Sequence, residues 1–176
     1  MSRVIRKSQT RSSTEAASLL ANLFAAELIS PSECIWLVSP WISNIPILDN
    51  EVGAYDPLSR WGPRRVRLAE VLATLASCGS SVVVATTADP RNNEFITHLS
   101  SRAAELGSGS KVRIARDPAN LLHEKAITGD DYTVVGSMNI TWYGINLREE
   151  YLELRTEEDF VARARLDAVD RFGIRP

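Results

Sequence analysis

One short stretch of this 176-residue chain carries side chains that could perform a reaction. His123 and Lys125 are two residues apart, so in an extended strand they share one face while Glu124 points away. An imidazole can attack phosphorus, and an ammonium group can balance the charge that develops on the non-bridging oxygens. Ser137 and Asn139, again two apart, could donate hydrogen bonds to those oxygens. These residue types therefore predict chemistry on a phosphodiester.

The order of these residues resembles the signature of the phospholipase D superfamily, whose members include nucleases, other phosphodiesterases and lipases. The shared pattern is His-x-Lys, four residues, Asp, and then Gly-Ser-x-Asn, and it occurs once in this chain. The Asp of the pattern is Asp130, and the Gly is Gly136. The resemblance implies a structural role for Asp130, which lies beside Gly129 in a sequence suited to a turn between strands.

The resemblance also implies an acidic or amide residue in a later strand, where Glu149 and Glu150 both lie. Period two groups Glu150 with Leu152 and Leu154, so Glu150 is expected to be the inward carboxylate. We expect it to accept a hydrogen bond from a ring nitrogen of His123 and to fix the tautomer of that ring. A buried salt bridge is the alternative role for Glu150.

One histidine cannot conveniently attack phosphorus and protonate the departing oxygen at once. The resemblance implies two motifs facing each other across a two-fold axis, hence a homodimer with its active site at the shared interface. One copy of His123 would form a covalent phosphohistidine while the other acts as the general acid. This scheme needs no metal or cofactor. The only other histidine is His98, and two unclustered cysteines complete no familiar zinc spacing.

A nuclease acting on DNA or RNA is the leading interpretation, because short single-motif members of the superfamily resemble bacterial nucleases and DNA-defence components. A phospholipase D-type lipid phosphodiesterase is one alternative. The other is a non-catalytic DNA-binding subunit of a bacterial defence or modification complex, since the chain could bind a phosphodiester without cutting it.

Candidate substrate contacts come from local features, because a net charge of −2 excludes a uniformly basic surface. Arg64 and Arg65 belong to a basic cluster that could contact phosphates. Ser39 and Trp41 follow an apolar run that is typical of a buried strand, at the end where open α/β sheets usually bind ligands. Trp41 could instead anchor its loop on the core.

Strands and helices alternate early in the chain and strands cluster later, which predicts an α/β fold with a mixed β-sheet flanked by helices on both faces. We expect one domain over 1–176, a flexible basic arm at 1–11 and a long loop at 45–63. Cys34 and Cys78 are expected to be reduced and packed in or near the core. Neither a signal-peptide pattern nor an apolar run of ~20 residues is present, so a cytoplasmic protein is expected. Apolar runs predict strands at 35–38, 81–85 and 132–135, and an alternating pattern predicts a further strand at 111–115.

Overall fold

A computed structural model of the protein describes residues 2–7, 13–146 and 150–172. The strands are β1 (Ser2–Lys7), β2 (Cys34–Val38), β3 (Pro46–Asp49), β4 (Arg65–Arg67), β5 (Ser81–Thr87), β6 (Val112–Asp117), β7 (Ala126–Thr128), β8 (Thr133–Gly136) and β9 (Glu150–Arg155). The helices are α1 (Ser13–Ile29), α2 (Leu68–Ser77), α3 (Asn93–Glu105), α4 (Trp142–Asn146) and α5 (Glu158–Phe172). Within these ranges, no helix has the length and apolar character that crossing a bilayer requires.

Seven of the strands form one sheet in the order β1-β9-β8-β7-β2-β5-β6. The pairs β2–β5 and β5–β6 are parallel, whereas β7, β8, β9 and β1 are joined by antiparallel pairing. β3 and β4 form a separate antiparallel pair. The mixed sheet expected from the sequence is therefore confirmed.

The central strand β2 is buried on both sides because alternate residues face two different hydrophobic clusters. Ile35 and Leu37 pack in a large cluster with residues of α1, α2 and α3. Trp36 and Val38 face the opposite side, where Ala168 of α5 covers the sheet. Helices on both faces of the sheet are thus confirmed, and the continuous apolar run of β2 reflects burial on both faces.

The N-terminal residues depart from the predicted flexible arm, since residues 2–7 form the edge strand β1. β1 pairs antiparallel with β9, from Ser2 opposite Arg155 to Lys7 opposite Glu150. Ile5 is only 2% exposed and is part of the larger cluster. Most contacts of β1 are backbone hydrogen bonds to β9, which leave no pattern in the sequence. A strand with one buried side chain among basic residues is therefore hard to distinguish from a flexible arm by sequence. Residues 8–12 of the predicted arm lie outside the described residues.

The prediction of a structureless loop at 45–63 is also wrong. β3 starts within this segment and pairs with β4, and a short 3₁₀ helix spans Asp56–Trp61. Leu58 in that helix is completely buried, and Asn50 Oδ1 accepts a hydrogen bond from the Tyr55 N–H at 3.0 Å. The two strands are only four and three residues long, and β3 begins with a proline, so period two is not visible in the sequence.

The two cysteines occupy different environments, so only one of them fulfils the packing prediction. Cys34 is buried in β2, where burial raises the pKa of its thiol to about 12. Cys78 is exposed just after α2. Both are free thiols.

Candidate active site

A cleft of about 220 Å³ lies where the parallel strands β2 and β5 end. Its walls include Trp41, Asp89, Asn120, His123, Lys125 and Asn139. Three of the five candidate catalytic residues therefore share one cleft with the aromatic candidate for substrate contact. Among the described residues, no group of three His, Cys, Asp or Glu side chains is arranged to hold a metal ion.

His123 and Lys125 precede β7 instead of lying within a strand, yet their side chains alternate as expected. Both line the cleft, whereas Glu124 points to the other face and forms an ion pair with Arg171 of α5. Lys125 Nζ donates to the backbone carbonyl of His123. The His123 side chain is exposed, and within the described parts of the chain its ring forms no hydrogen bond. An imidazole in this setting is accessible to a substrate.

The segment before His123 is held by a side chain that the sequence reading did not select. The Asp117 carboxylate accepts hydrogen bonds from the backbone N–H groups of Ala119, Leu121 and Leu122 at 2.9, 2.6 and 2.7 Å. Desolvation acts to raise the pKa of Asp117, but these donors outweigh it and hold that pKa below its usual value. Asp117 therefore fixes the approach to His123. An Asp-Pro sequence is a recognised turn signal and could have indicated it.

The loop that carries Trp41 is fixed by Asn92, a second residue that the sequence reading missed. Asn92 is completely buried, and its Nδ2 donates to the carbonyls of Pro40 and Thr87 at 3.0 and 3.1 Å. Its Oδ1 accepts from the Ile42 N–H at 2.9 Å. One carboxamide thus joins the end of β5 to the residues on both sides of Trp41.

Ser39 does not line the cleft, so its prediction as a direct substrate contact needs correction. The side chain is completely buried; its Oγ lies 2.9 Å from the Trp41 carbonyl and 3.4 Å from Asn139 Oδ1. The hydroxyl also accepts from the Ile140 N–H at 3.3 Å. Ser39 therefore holds the Trp41 loop against the segment that carries Asn139.

Ser137 and Glu150 contact each other instead of His123. Ser137 Oγ donates to Glu150 Oε2 at 2.5 Å and accepts from the Tyr151 N–H at 3.0 Å. The expected hydrogen bond between Glu150 and the His123 ring is not found among the described residues. The pairing of β8 with β9 continues to Ser137, whose N–H donates to the Tyr151 carbonyl, and this brings the adjacent Glu150 within reach of the Ser137 hydroxyl. Glu149, the other glutamate considered, lies outside the described residues.

Gly136 and Asp130 both serve the framework around the cleft. A Cβ on Gly136 would lie 1.9 Å from the Tyr151 carbonyl oxygen, so only glycine allows β8 to approach β9 there. Asp130 lies at the end of β7 remote from His123, where its carboxylate accepts from the Glu33 N–H at 2.6 Å. The same carboxylate pairs with Arg165 of α5 at 3.1 Å. Asp130 thus ties the β7–β8 turn to the start of β2 and to α5.

Neither Arg64 nor Arg65 lines the cleft that contains His123. Arg64 forms a two-pronged ion pair with Glu70, with nitrogen–oxygen distances of 3.0 and 2.7 Å. Arg65 is exposed on β4 and borders a separate groove beside Asp49. Because neither arginine shares the cleft with His123, their predicted contact with a substrate at that site has no support in the structure.

The architecture of this chain is similar to that of two proteins of known structure over nearly their whole length. Nuc from Salmonella typhimurium, a phospholipase D family member, is similar with a TM-score of 0.63 and 11% sequence identity over 98% of this chain and 93% of that one. NucT from Helicobacter pylori is similar with a TM-score of 0.62 and 12% identity over 98% and 94% of the two chains. The fold expected from the motif is therefore confirmed.

A similar fold also forms part of a much longer protein. Polyphosphate kinase from Porphyromonas gingivalis is similar with a TM-score of 0.63 and 15% identity over 96% of this chain but 26% of that one. The sequence matches no protein-family profile and has no significant similarity to a curated protein. Because one fold can carry many activities, the activity of this chain depends on the residues of its cleft.

Proposed function

We propose that the protein is a phosphodiesterase of the phospholipase D type that cleaves DNA or RNA without a metal. The observation that carries this proposal is the cleft in which an exposed His123 lies beside Lys125 and Asn139. A nucleophile, a cation and an amide donor on one wall are what attack at phosphorus requires. The similarity in fold to NucT and Nuc supports the same assignment.

The reaction proceeds in two displacements. A ring nitrogen of His123 attacks phosphorus, the bond from phosphorus to the leaving oxygen breaks, and that oxygen takes a proton from the His123 of a second copy. Water then attacks phosphorus and gives a proton to this second histidine, while the phosphorus–nitrogen bond breaks and restores the first. Lys125 and Asn139 stabilise the non-bridging oxygens, and loss of one such donor typically costs about 3 kcal/mol of transition-state stabilisation.

Cleavage is tested with labelled single- and double-stranded DNA and RNA in excess EDTA. We expect the unmodified protein to cut and His123→Ala to lose all measurable activity. His98→Ala is the matched control because it removes the only other histidine, which lies on α3 and contacts Asn44 Nδ2 at 3.0 Å outside the cleft. Activity that appears only with added Mg²⁺ would contradict this mechanism, as would equal loss in both variants.

The covalent intermediate has its own test. The substrate is labelled on the fragment that keeps the phosphate, which stays bound to the enzyme in the intermediate. Rapid denaturation under alkaline conditions, in which phosphohistidine survives, should then give a labelled protein band. His98→Ala should give the same band and His123→Ala none. A label that survives loss of His123 would assign the nucleophile to another residue.

A shared site at a homodimer interface predicts a definite response to mixing. If each site needs His123 from both subunits, co-assembly with His123→Ala subunits lowers the activity as the square of the unmodified fraction. A linear decrease, or a monomer by light scattering at the assay concentration, would contradict the shared site.

The two other functions predict different results, which lipid hydrolysis and DNA-binding assays would detect. Hydrolysis of phosphatidylcholine vesicles without cleavage of nucleic acid would indicate a lipid phosphodiesterase. Salt-dependent DNA binding that survives His123→Ala, with no cleavage by the unmodified protein, would indicate a binding subunit of a larger complex.

A further inference from the structure

The environment of Trp41 differs from those of Trp36 and Trp61. Trp36 is 1% exposed within the core, and Trp61 packs against the core while its indole N–H donates to Thr74 Oγ1 at 2.9 Å. Trp41 is only partly buried and belongs to neither hydrophobic cluster of the described residues. The alternative that this ring anchors its loop on the core therefore has no support in its contacts.

A cation covers one face of the Trp41 ring. The Arg91 guanidinium carbon lies 4.2 Å from the ring centroid, within the range of a cation–π contact. Asp89 holds that guanidinium, with its Oδ2 2.6 Å from Arg91 Nη2. Trp41 and Asp89 line the cleft, whereas Arg91 is not among the residues that line it.

The backbone on both sides of the ring is also held by hydrogen bonds. The Ser39 hydroxyl donates a hydrogen bond to the Trp41 carbonyl at 2.9 Å and so restrains the loop. Asn92 holds the next N–H, that of Ile42, at 2.9 Å. A flat ring with a cation over one face and with its flanking backbone held by hydrogen bonds binds a second flat ring at low entropic cost.

We propose that Trp41 is a stacking platform for an unpaired base next to the scissile phosphate, which makes the substrate single-stranded nucleic acid. This inference rests on the proposed function and specifies its substrate. The cleft that holds His123 and Trp41 measures about 220 Å³, below the roughly 300–1,000 Å³ of common small-molecule sites. A base paired inside a duplex cannot offer its face to the ring, whereas an unpaired base can.

Binding is measured in the His123→Ala background, where the oligonucleotide stays intact. Fluorescence anisotropy gives Kd for single-stranded oligo(dT), for a hairpin duplex, and for an oligomer of the same length with tetrahydrofuran abasic sites. We expect Trp41→Leu to weaken oligo(dT) binding about 5- to 150-fold, the usual effect of losing one stacked base, and to leave abasic binding unchanged. Trp41→Phe should keep most of the affinity. Thermal midpoints establish that each variant is folded.

Trp142→Ala is the matched control, since Trp142 is 50% exposed and borders a separate groove. The inference is overturned if Trp41→Leu weakens abasic and oligo(dT) binding equally, has no effect, or matches the control. It is also overturned if the hairpin binds as tightly as oligo(dT). With His123 intact, Trp41→Leu should raise KM for oligo(dT) and leave kcat unchanged. Absence of cleavage by all His123-containing proteins would refute the proposed chemistry, while the binding data would still decide the role of Trp41.

Discussion

Replacing Asn92 with alanine should be among the most damaging single changes near the cleft. The change leaves the N–H of Ile42 without its partner, and Ile42 is 1% exposed. A buried donor left unpaired costs about 1–3 kcal/mol, and each lost hydrogen bond to the Pro40 and Thr87 carbonyls adds about 1 kcal/mol. Because the hydroxyls of Thr86 and Thr87 still donate to the Pro40 carbonyl, we expect a total near the lower part of that sum, about 3 kcal/mol.

Urea unfolding, followed by tryptophan fluorescence and by circular dichroism, measures this loss as a change in the free energy of unfolding. Asn93→Ala is the matched control: the neighbouring asparagine is exposed, and its Oδ1 accepts a hydrogen bond from the Arg116 side chain at 2.9 Å. The control should change stability by less than about 0.5 kcal/mol. Cleavage by folded Asn92→Ala should also fall, because Trp41 loses its fixed position. Equal effects of the two substitutions would refute the bracing role of Asn92.

Two further predictions concern the framework of the cleft. Asp117→Asn should lower stability at neutral pH, because an amide is a weaker acceptor for the three backbone donors than a carboxylate. Since the folded-state pKa of Asp117 is lowered, its stabilisation is present above the usual pKa of about 3.9 and is lost as the pH falls through the folded value. The urea-midpoint difference from the unmodified protein should therefore shrink at acid pH; a constant difference, or the same trend in exposed Asp131→Asn, would count against this role. Gly136→Ala should cost about 1–3 kcal/mol because the new methyl overlaps the Tyr151 carbonyl, whereas Gly109→Ala meets no atom within 4 Å and should be nearly neutral.

The sequence pattern was sufficient to predict the central strands of the main sheet, because these strands are buried on both faces and are therefore continuously apolar. The run Ile35–Val38 and the run Val82–Ala85 are continuous and apolar, and both form the predicted strands. Short or edge strands such as β1 and β3 were not recognised. Their stability depends on backbone pairing with distant segments, and their side chains are mostly polar or include proline.

The chemistry-bearing residues were also evident in the sequence, because the spacing of His123, Lys125 and Asn139 is a local property. The partners that position them were not. Ile42 and Asn92 are 50 residues apart, and Ser39 and Asn139 are 100 apart. No local pattern encodes such a contact.

The sequence by itself determined which residue types are available for attack on phosphorus and which segments must be buried. Only the tertiary structure decided that Glu150 contacts Ser137 instead of His123, that Ser39 lies beneath the cleft, and that Trp41 faces it. The physical reason is that strand register and loop packing select hydrogen-bond partners among residues far apart in the chain, whereas side-chain chemistry and alternation are fixed within a few residues.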